Sequence, residues 1–422
     1  SKFAIAAHFL ILAMAKIKKC AAIANFEAGK ISRNVKNAIV KSCEEILEGK
    51  LADQFPLPNL QGGAGTSINA NVNEVIASRA TEILQKQGKK TTVHPNDHVN
   101  ASQSTNDVNP SALKIALFDL LKSLDIELSA LAKALEIKAK EFKNIWKLGR
   151  THLQDAVPTT LGAEFASFAE IVRRRQGNVR HAAGYAEFLN LGGTAIGNSI
   201  NASPKYIKAV YRELNKISKG NFRPAENLMS KTSSQTDFLI ISQAIVALTA
   251  DLSKIANDFK LLSSGPKGGF GEIVLPELQK GSSIMPGKTN PVIPELINQL
   301  YFIVSGNNLT IERCVEASQL ELGVMLPTIS ERLLESVKTT IEALTQFTKL
   351  CVAKIRANKA RCRQLLESST AYATLLVPKL GYDIMSEIVK EALRANKTIR
   401  QLVLEKKLLT NKEFDNLVQN LF

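Results

Sequence analysis

From Ser111 to Leu148 the chain has no glycine or proline, and Leu113, Leu117, Leu120, Leu124, Leu128, Leu131 and Leu135 recur at steps of three and four. That spacing gathers one apolar stripe on one side of a helix, so the pattern predicts a single long helix of roughly 55 Å. Ile241, Ile245, Leu248, Leu252, Ile255, Phe259 and Leu262 repeat the arrangement and stop at the breaker Gly265-Pro266. A third stripe, Ile329, Leu333, Val337, Ile341 and Leu344, follows Pro327. Long helices with one apolar stripe each must bury it against one another, which predicts a central helical bundle. Period-two runs between turn residues are nearly absent, with Glu272 to Leu275 the strand candidate, so the fold class is all-α.

Shorter helices with polar interruptions flank the bundle. The run from Lys397 to Val418 reads as two short helices joined at Leu409-Thr410. Three regions follow: an N-terminal helical region over 1–103, the long-helix bundle over 104–359, and a small C-terminal helical region over 360–422. Neither an internal repeat nor a low-complexity linker separates them. The apolar stretch Phe3 to Ala15 is too short to span a bilayer and its positive cluster, Lys16 to Lys19, follows it, so it predicts a buried helix and no membrane partner.

Composition narrows the class. With 45% hydrophobic and 22% charged residues in 422, the chain lies in the globular range, outside disordered, collagenous and membrane-spanning classes. A net charge of +15 admits nucleic acid, acidic lipid or an anionic small molecule. The basic residues are scattered, and one Trp and six Tyr offer little basis for stacking nucleobases, so no nucleic-acid partner is expected. Cys20, Cys43, Cys314, Cys351 and Cys362 form an odd set without CxxC spacing, against a disulfide framework or a zinc site. No metal site is expected, and a reducing, cytoplasmic setting is.

Three polar segments break the amphipathic pattern, each ahead of a helix: Gln61 to Val75, His94 to Leu113 and Gly281 to Leu296. Helix starts expose unpaired N–H groups and the positive end of the helix dipole, so hydroxyls and amides placed there can cradle a carboxylate. Ser, Thr and Asn ahead of a helix are also its ordinary caps, and both readings stand for any one segment. The third segment is the richer one, because Gly281, Ser282, Ser283, Gly287 and Lys288 join loop mobility, two hydroxyls and a cation, as a lid over a substrate would need. A fourth segment, Gly149 to Gly162, sets His152 beside Arg150, Thr151 and Gln154, where it could serve as acid, base or anion ligand. No P-loop, dinucleotide fingerprint or Ser-His-Asp order emerges.

The run GSSIMPGKTNP, Gly281 to Pro291, closely resembles the signature of the fumarase/aspartase superfamily, and the other three segments resemble that family's remaining motifs in the expected order, over nearly the whole chain. QGGAGTSIN, LGGTAIG and NPVIPELINQ resemble the branch that eliminates ammonia from aspartate more than the fumarases. The resemblance implies a largely helical three-region subunit, a homotetramer with a shared helical core, and active sites built from three chains. It implies reversible deamination of L-aspartate to fumarate through an enediolate. No cofactor is then required, and activation by Mg2+ is compatible with the family.

By the same resemblance Ser282 would be the general base, and Thr66, Ser104, Thr105 and Ser283 would surround the side-chain carboxylate. Lys288, Asn290 and His152 would hold the α-carboxylate, Thr151 and Asn106 would lie near the leaving amino group, and Glu295 would orient His152. His94 and Asn96 resemble a second anion site near the entrance. Measured against the family, the chain opens at Ser1-Lys2-Phe3 and is expected to lack a leading arginine-bearing segment, while Gly323 to Leu326 depart from the usual residues and point to altered local packing. Fumarase activity, or a catalytically silent protein on the same scaffold, are the alternatives.

Overall fold

A computed structural model describes residues 5–279, 281 and 284–419. The chain runs through α1 (Ile5–Glu27), α2 (Arg33–Leu47), α3 (Thr66–Lys86) and α4 (Thr105–Glu141), then the strands β1 (Trp146–Thr151) and β2 (Gln154–Thr160). Next come α5 (Leu161–Ala183), β3 (Phe188–Leu189), α6 (Pro204–Ser218), β4 (Arg223–Pro224), α7 (Leu228–Ser233), α8 (Thr236–Leu262) and β5 (Ile273–Val274). The remainder is α9 (Val292–Glu316), α10 (Leu326–Gln346), β6 (Arg356–Ala357), α11 (Lys359–Ser368), α12 (Tyr372–Leu380), α13 (Tyr382–Ala395), α14 (Ile399–Glu405) and α15 (Asn411–Gln419). The fold is all-α, and among the described residues its strands form only two-stranded pairs.

Two compact units share the chain, one of Ser1–Glu127, Arg175–Ala250 and Leu300–Glu342, the other of Leu128–Arg174, Asp251–Gln299 and Ala343–Phe422. The dividing points fall inside α4, α5, α8, α9 and α10. In the first unit α1 packs on α2 and α6, and α2 on α3. Ser32 and Ser203 start α2 and α6 by accepting the N–H of Val35 and Tyr206, and Pro204 fits the first turn of α6 because no backbone donor is needed there. The leucines read as a stripe are all buried, as are Ile241, Ile245, Leu248, Ile329, Leu333 and Val337. Pro110 lies inside α4 and cannot donate to the carbonyl of Asn106, which instead accepts the Asn190 side-chain amide at 3.0 Å.

In the second unit Phe259 stacks on Phe165 at 5.5 Å and meets Phe168 and Phe347 at 5.6 and 5.8 Å, all four rings buried. A further core joins Leu366, Leu376, Met385, Ile388, Leu402 and Phe414 of the C-terminal helices. The strand candidate over Glu272 to Leu275 contains β5, which pairs with β6.

The long helix read as reaching Leu148 ends at Glu141, and it begins six residues before Ser111. No breaker stops it. Phe142 and Ile145 turn into the core, their carbonyls accept the N–H groups of Gly162 and Leu161, and Trp146, Lys147 and Leu148 pair with Thr160, Thr159 and Pro158. A side chain on Gly162 would meet the backbone of Ala139 and Lys143 at 2.6 Å, so glycine permits this close return. Tertiary pairing therefore overrides the leucine periodicity. Phe259→Ala should lower the stability by about 3–5 kcal/mol through loss of the stacked cluster, measured by chemical denaturation.

Candidate active site

In the first unit Gly63, Ala64 and Gly65 take left-handed φ of 79°, 54° and 84° before α3 begins. A Cβ on Gly65 would lie 2.2 Å from the Asn109 amide nitrogen, which donates to the Ala64 carbonyl at 2.9 Å. Asn109 of α4 thus anchors this loop, and glycine is demanded by both φ and space. Gly65 supplies no side-chain cap for α3. Thr66 is exposed and its hydroxyl donates to the Gly63 carbonyl at 2.7 Å.

The start of α4 is more fully built. Ser104 accepts the Asn106 N–H at 3.2 Å, Thr105 accepts the Asn69 amide at 3.2 Å, and the Asn106 amide donates to the Ala195 carbonyl at 2.8 Å. The hydroxyl hydrogens of Ser104 and Thr105 have no acceptor among the described residues and can turn toward an anion. Asp107, fully buried, accepts the N–H groups of Ser104 at 2.9 Å, Gly192 at 3.0 Å and Thr194 at 2.9 Å. It thereby ties the LGGTAIG loop to the helix start. Burial lifts its carboxyl to about 6, opposed by those three donors.

Lys18 of α1 is also fully buried and donates to Asn100 Oδ1 at 2.8 Å. Burial pushes its ammonium down to about 7, with the charge of Asp107 opposing. Around it Asn25 and Ser102 bond to one another at 2.7 Å and Asn25 donates to the Ala101 carbonyl, so the turn ahead of α4 rests on a buried polar layer. Lys18, Asn109 and Asn190 were not singled out in the sequence. Asp107 had a signal: Ser104-Thr105-Asn106-Asp107 has capping-box spacing.

The second unit presents His152 on the β1–β2 turn. His152 and Leu153 have φ of 55° and 60°, the two positive values of a two-residue type I′ hairpin, where Asn-Gly would be the relaxed choice. Thr151 and His152 are exposed. The hairpin base is held by ions: buried Lys147 meets Glu164 at 2.7 Å and Glu272 at 3.1 Å, and Arg150 contacts both oxygens of Glu272 at 3.1 Å while lying 4.1 Å from the Phe270 ring centre. Burial raises the Glu164 carboxyl, against the pull of Lys147.

Also in this unit, Asn290 donates to the Gly281 carbonyl at 2.9 Å and closes the base of the lysine loop. A Cβ on Gly281 would stand 1.9 Å from the Lys288 carbonyl, so only glycine allows the two arms to cross. Lys288 is exposed and has no carboxylate partner among the described residues. Ser282 and Ser283 lie outside the described residues. Glu295 sits exposed in the first turn of α9 and makes no hydrogen bond with His152 within the chain. The structure therefore brings Thr66, Ser104, Thr105 and Asn106 onto one unit and Thr151, His152, Lys288, Asn290 and Glu295 onto the other.

His94 and Asn96, in the first unit, are exposed. His94 Nδ1 accepts the Asp97 N–H at 3.1 Å, so this ring caps the short turn Pro95–Val99. Gly323 approaches the Gln235 side chain so closely that a Cβ would meet its Cγ at 2.4 Å, and Leu326 is buried at the start of α10.

Residues 2–306 match the family model described as Lyase, and residues 373–420 match that described as Fumarase C C-terminus. The chain belongs to the fumarase/aspartase family of lyases. Aspartate ammonia-lyase of Helicobacter pylori is 44% identical to this lyase over 408 residues, 96% of the chain and 87% of that protein. A fumarate lyase:delta crystallin from Brucella melitensis, solved bound to cobalt, superposes with a TM-score of 0.94 at 42% identity, covering 99% of this chain and 91% of that one. A class II fumarase from Schistosoma mansoni does so with 0.91 at 34% identity, covering 97% and 89%.

The Lys18 environment gives this family member a testable pH signature. The folded value of about 7 lies below the ordinary 10.5, so between them the unfolded chain binds the extra proton and stability rises with pH. Relative to Lys18→Met, the wild type should gain about 1.4 kcal/mol per pH unit above pH 7 and show a flat difference below it. Urea unfolding of both proteins at pH 6, 7, 8 and 9 checks the slope.

Proposed function

We propose that the chain is an aspartate ammonia-lyase, removing ammonia reversibly from L-aspartate to give fumarate. The observation that carries this reading is the near-full-length similarity to proteins of that name, together with the Ser104 and Thr105 hydroxyls at the start of α4, whose hydrogens have no acceptor among the described residues. The Cβ proton of aspartate is weakly acidic, and its removal places two negative charges on the neighbouring carboxyl group. Catalysis therefore depends on donors preset around that group more than on a strong base. In this reading Thr66, Ser104, Thr105 and Ser283 supply them, and Ser282 takes the proton, its alkoxide stabilised by Lys288 and backbone N–H groups of the loop.

Lys288, Asn290 and His152 hold the α-carboxylate, with Thr151 and Asn106 at the departing amino group. Glu295 orients His152 from another subunit, since the two do not bond within one chain. His94 and Asn96 form a second anion-binding position. Sharing among three chains of a homotetramer supplies the full set, and α9 supports assembly by leaving Phe302 and Leu309, seven residues apart on one face, 64% and 54% exposed. The enzyme acts in the cytoplasm without a required cofactor, and magnesium is an activator. Sedimentation should give the mass of four chains.

A second reading, fumarase, is favoured by the Schistosoma mansoni likeness. Fumarate formation followed by ultraviolet absorbance, with L-aspartate and L-malate offered separately with and without magnesium, separates them. Turnover of aspartate alone is expected; turnover of malate alone replaces this reading with fumarase, and silence with both leaves the scaffold catalytically inert. Ser282→Ala should lower kcat by about 10³-fold or more while the oligomer persists.

A further inference from the structure

A cavity of about 590 Å³ opens in the second unit where the end of α4 and β1 face α11 and α15. None of its residues belongs to the site described above. Its accessible aromatic wall is Trp146, half-buried, backed by Tyr372 and Phe414, whose rings meet edge to face at 5.5 Å.

The charges around it are unequally matched. Each lining carboxylate already has a cation: Glu141 with Lys138 at 2.8 Å, Glu367 with Arg363 at 2.7 Å, and Asp415 with Arg400 at 2.9 Å. Arg400 also lies over the Phe414 ring at 5.2 Å. Lys140, Lys143 and Lys359 line the same cavity, are exposed, and have no carboxylate partner among the described residues. Lys359 is moreover the first residue of α11, a ten-residue helix whose positive dipole end adds to the local potential.

We propose that this cavity binds a nucleoside di- or triphosphate, its base against Trp146 and its phosphates among Lys140, Lys143 and Lys359. The volume suits a ligand of that size. Stacking of a base on an aromatic wall and neutralisation of phosphates by cations are separate contributions, so a ligand carrying both features should exceed one carrying either. Three cations without carboxylate partners make the site one for a multiply charged anion, and the planar wall selects among such anions. The ligand is neither substrate nor product of the proposed elimination, and the inference does not depend on that reading.

Trp146 is the chain's single tryptophan, which makes the site its own reporter. The full-length protein would be titrated with ATP, without divalent cations, while tryptophan emission and, separately, heat of binding are followed. The expected result is saturable quenching that weakens with ionic strength, with adenosine and inorganic triphosphate each binding at least about tenfold more weakly. Lys143→Glu combined with Lys359→Glu should weaken ATP by at least about tenfold while helical circular dichroism is retained. Lys359→Glu alone, expected to weaken ATP measurably, serves if the pair disturbs folding. Saturating fumarate should not displace ATP. The proposal is overturned by no saturable change in either signal, by undiminished affinity in the folded variants, by triphosphate matching ATP, or by displacement with fumarate.

Discussion

The buried carboxylate of Asp107 is the constraint on which the polar surface of the first unit depends. A carboxylate without exposure to water is costly unless it is bonded, and Asp107 meets that demand with three backbone N–H groups drawn from the start of α4 and from the loop at Gly192 and Thr194. Those segments are 85 residues apart in sequence between Asp107 and Gly192. Asp107 serves the Ser104 N–H, the Ser104 hydroxyl oxygen accepts the Asn106 N–H, and the Asn106 amide reaches Ala195. The Ser104, Thr105 and Asn106 side chains are therefore positioned by bonds within the chain before any substrate arrives, while the Ser104 and Thr105 hydroxyl hydrogens, without an acceptor among the described residues, can be offered to an anion.

The second unit meets a comparable demand with ions. Non-glycine residues at positive φ cost roughly 1–2 kcal/mol each, and His152 and Leu153 both adopt it. Such a turn persists when its base is over-determined. Here the base is the pairing of β1 with β2, reinforced by Lys147 and Arg150 on Glu272. The unexposed Glu272 faces two cations, so removing either would leave a buried charge less well compensated. A histidine on a tight turn is thus held by a rigid foot, whereas the lysine loop is pinned at its neck by Asn290 and Gly281.

The sequence made the long helices legible because an apolar stripe of seven leucines has one simple explanation, burial along one side. It concealed the end of α4 because no glycine or proline interrupts the chain between Ser111 and Gly149, so the helical reading runs on to Leu148 although that residue belongs to a strand. Nothing local marks that change, which is decided by the return of Leu161 and Gly162. The polar helix starts were legible as segments, since Gly, Ser, Thr and Asn cluster there. Lys18 was not, because nothing in the cluster Lys16 to Lys19 sets it apart from its neighbours, and only the fold reveals that it is wholly buried. The ion cluster of Lys147, Arg150, Glu164 and Glu272 was hidden likewise, its members lying up to 125 positions apart along the chain.

Capping and ligand binding, the two readings open to each polar segment, divide between residues once the bonds are known. Asp107 and Ser104 hold their own helix start and behave as caps. Thr66 does not cap α3, whose N-cap is Gly65 without a side-chain bond. Thr105 is an acceptor for Asn69 with its own hydrogen left over. Lys288 and His152 stand exposed with no carboxylate beside Lys288 among the described residues. A helix start that needed only capping would be satisfied by Ser104 and Asp107, and the additional hydroxyl at Thr105 adds nothing to that task. Donor capacity beyond what folding uses is what separates a site from a well-made helix end, and Ser104, Thr105 and Lys288 carry it at segments that bear the family's motifs.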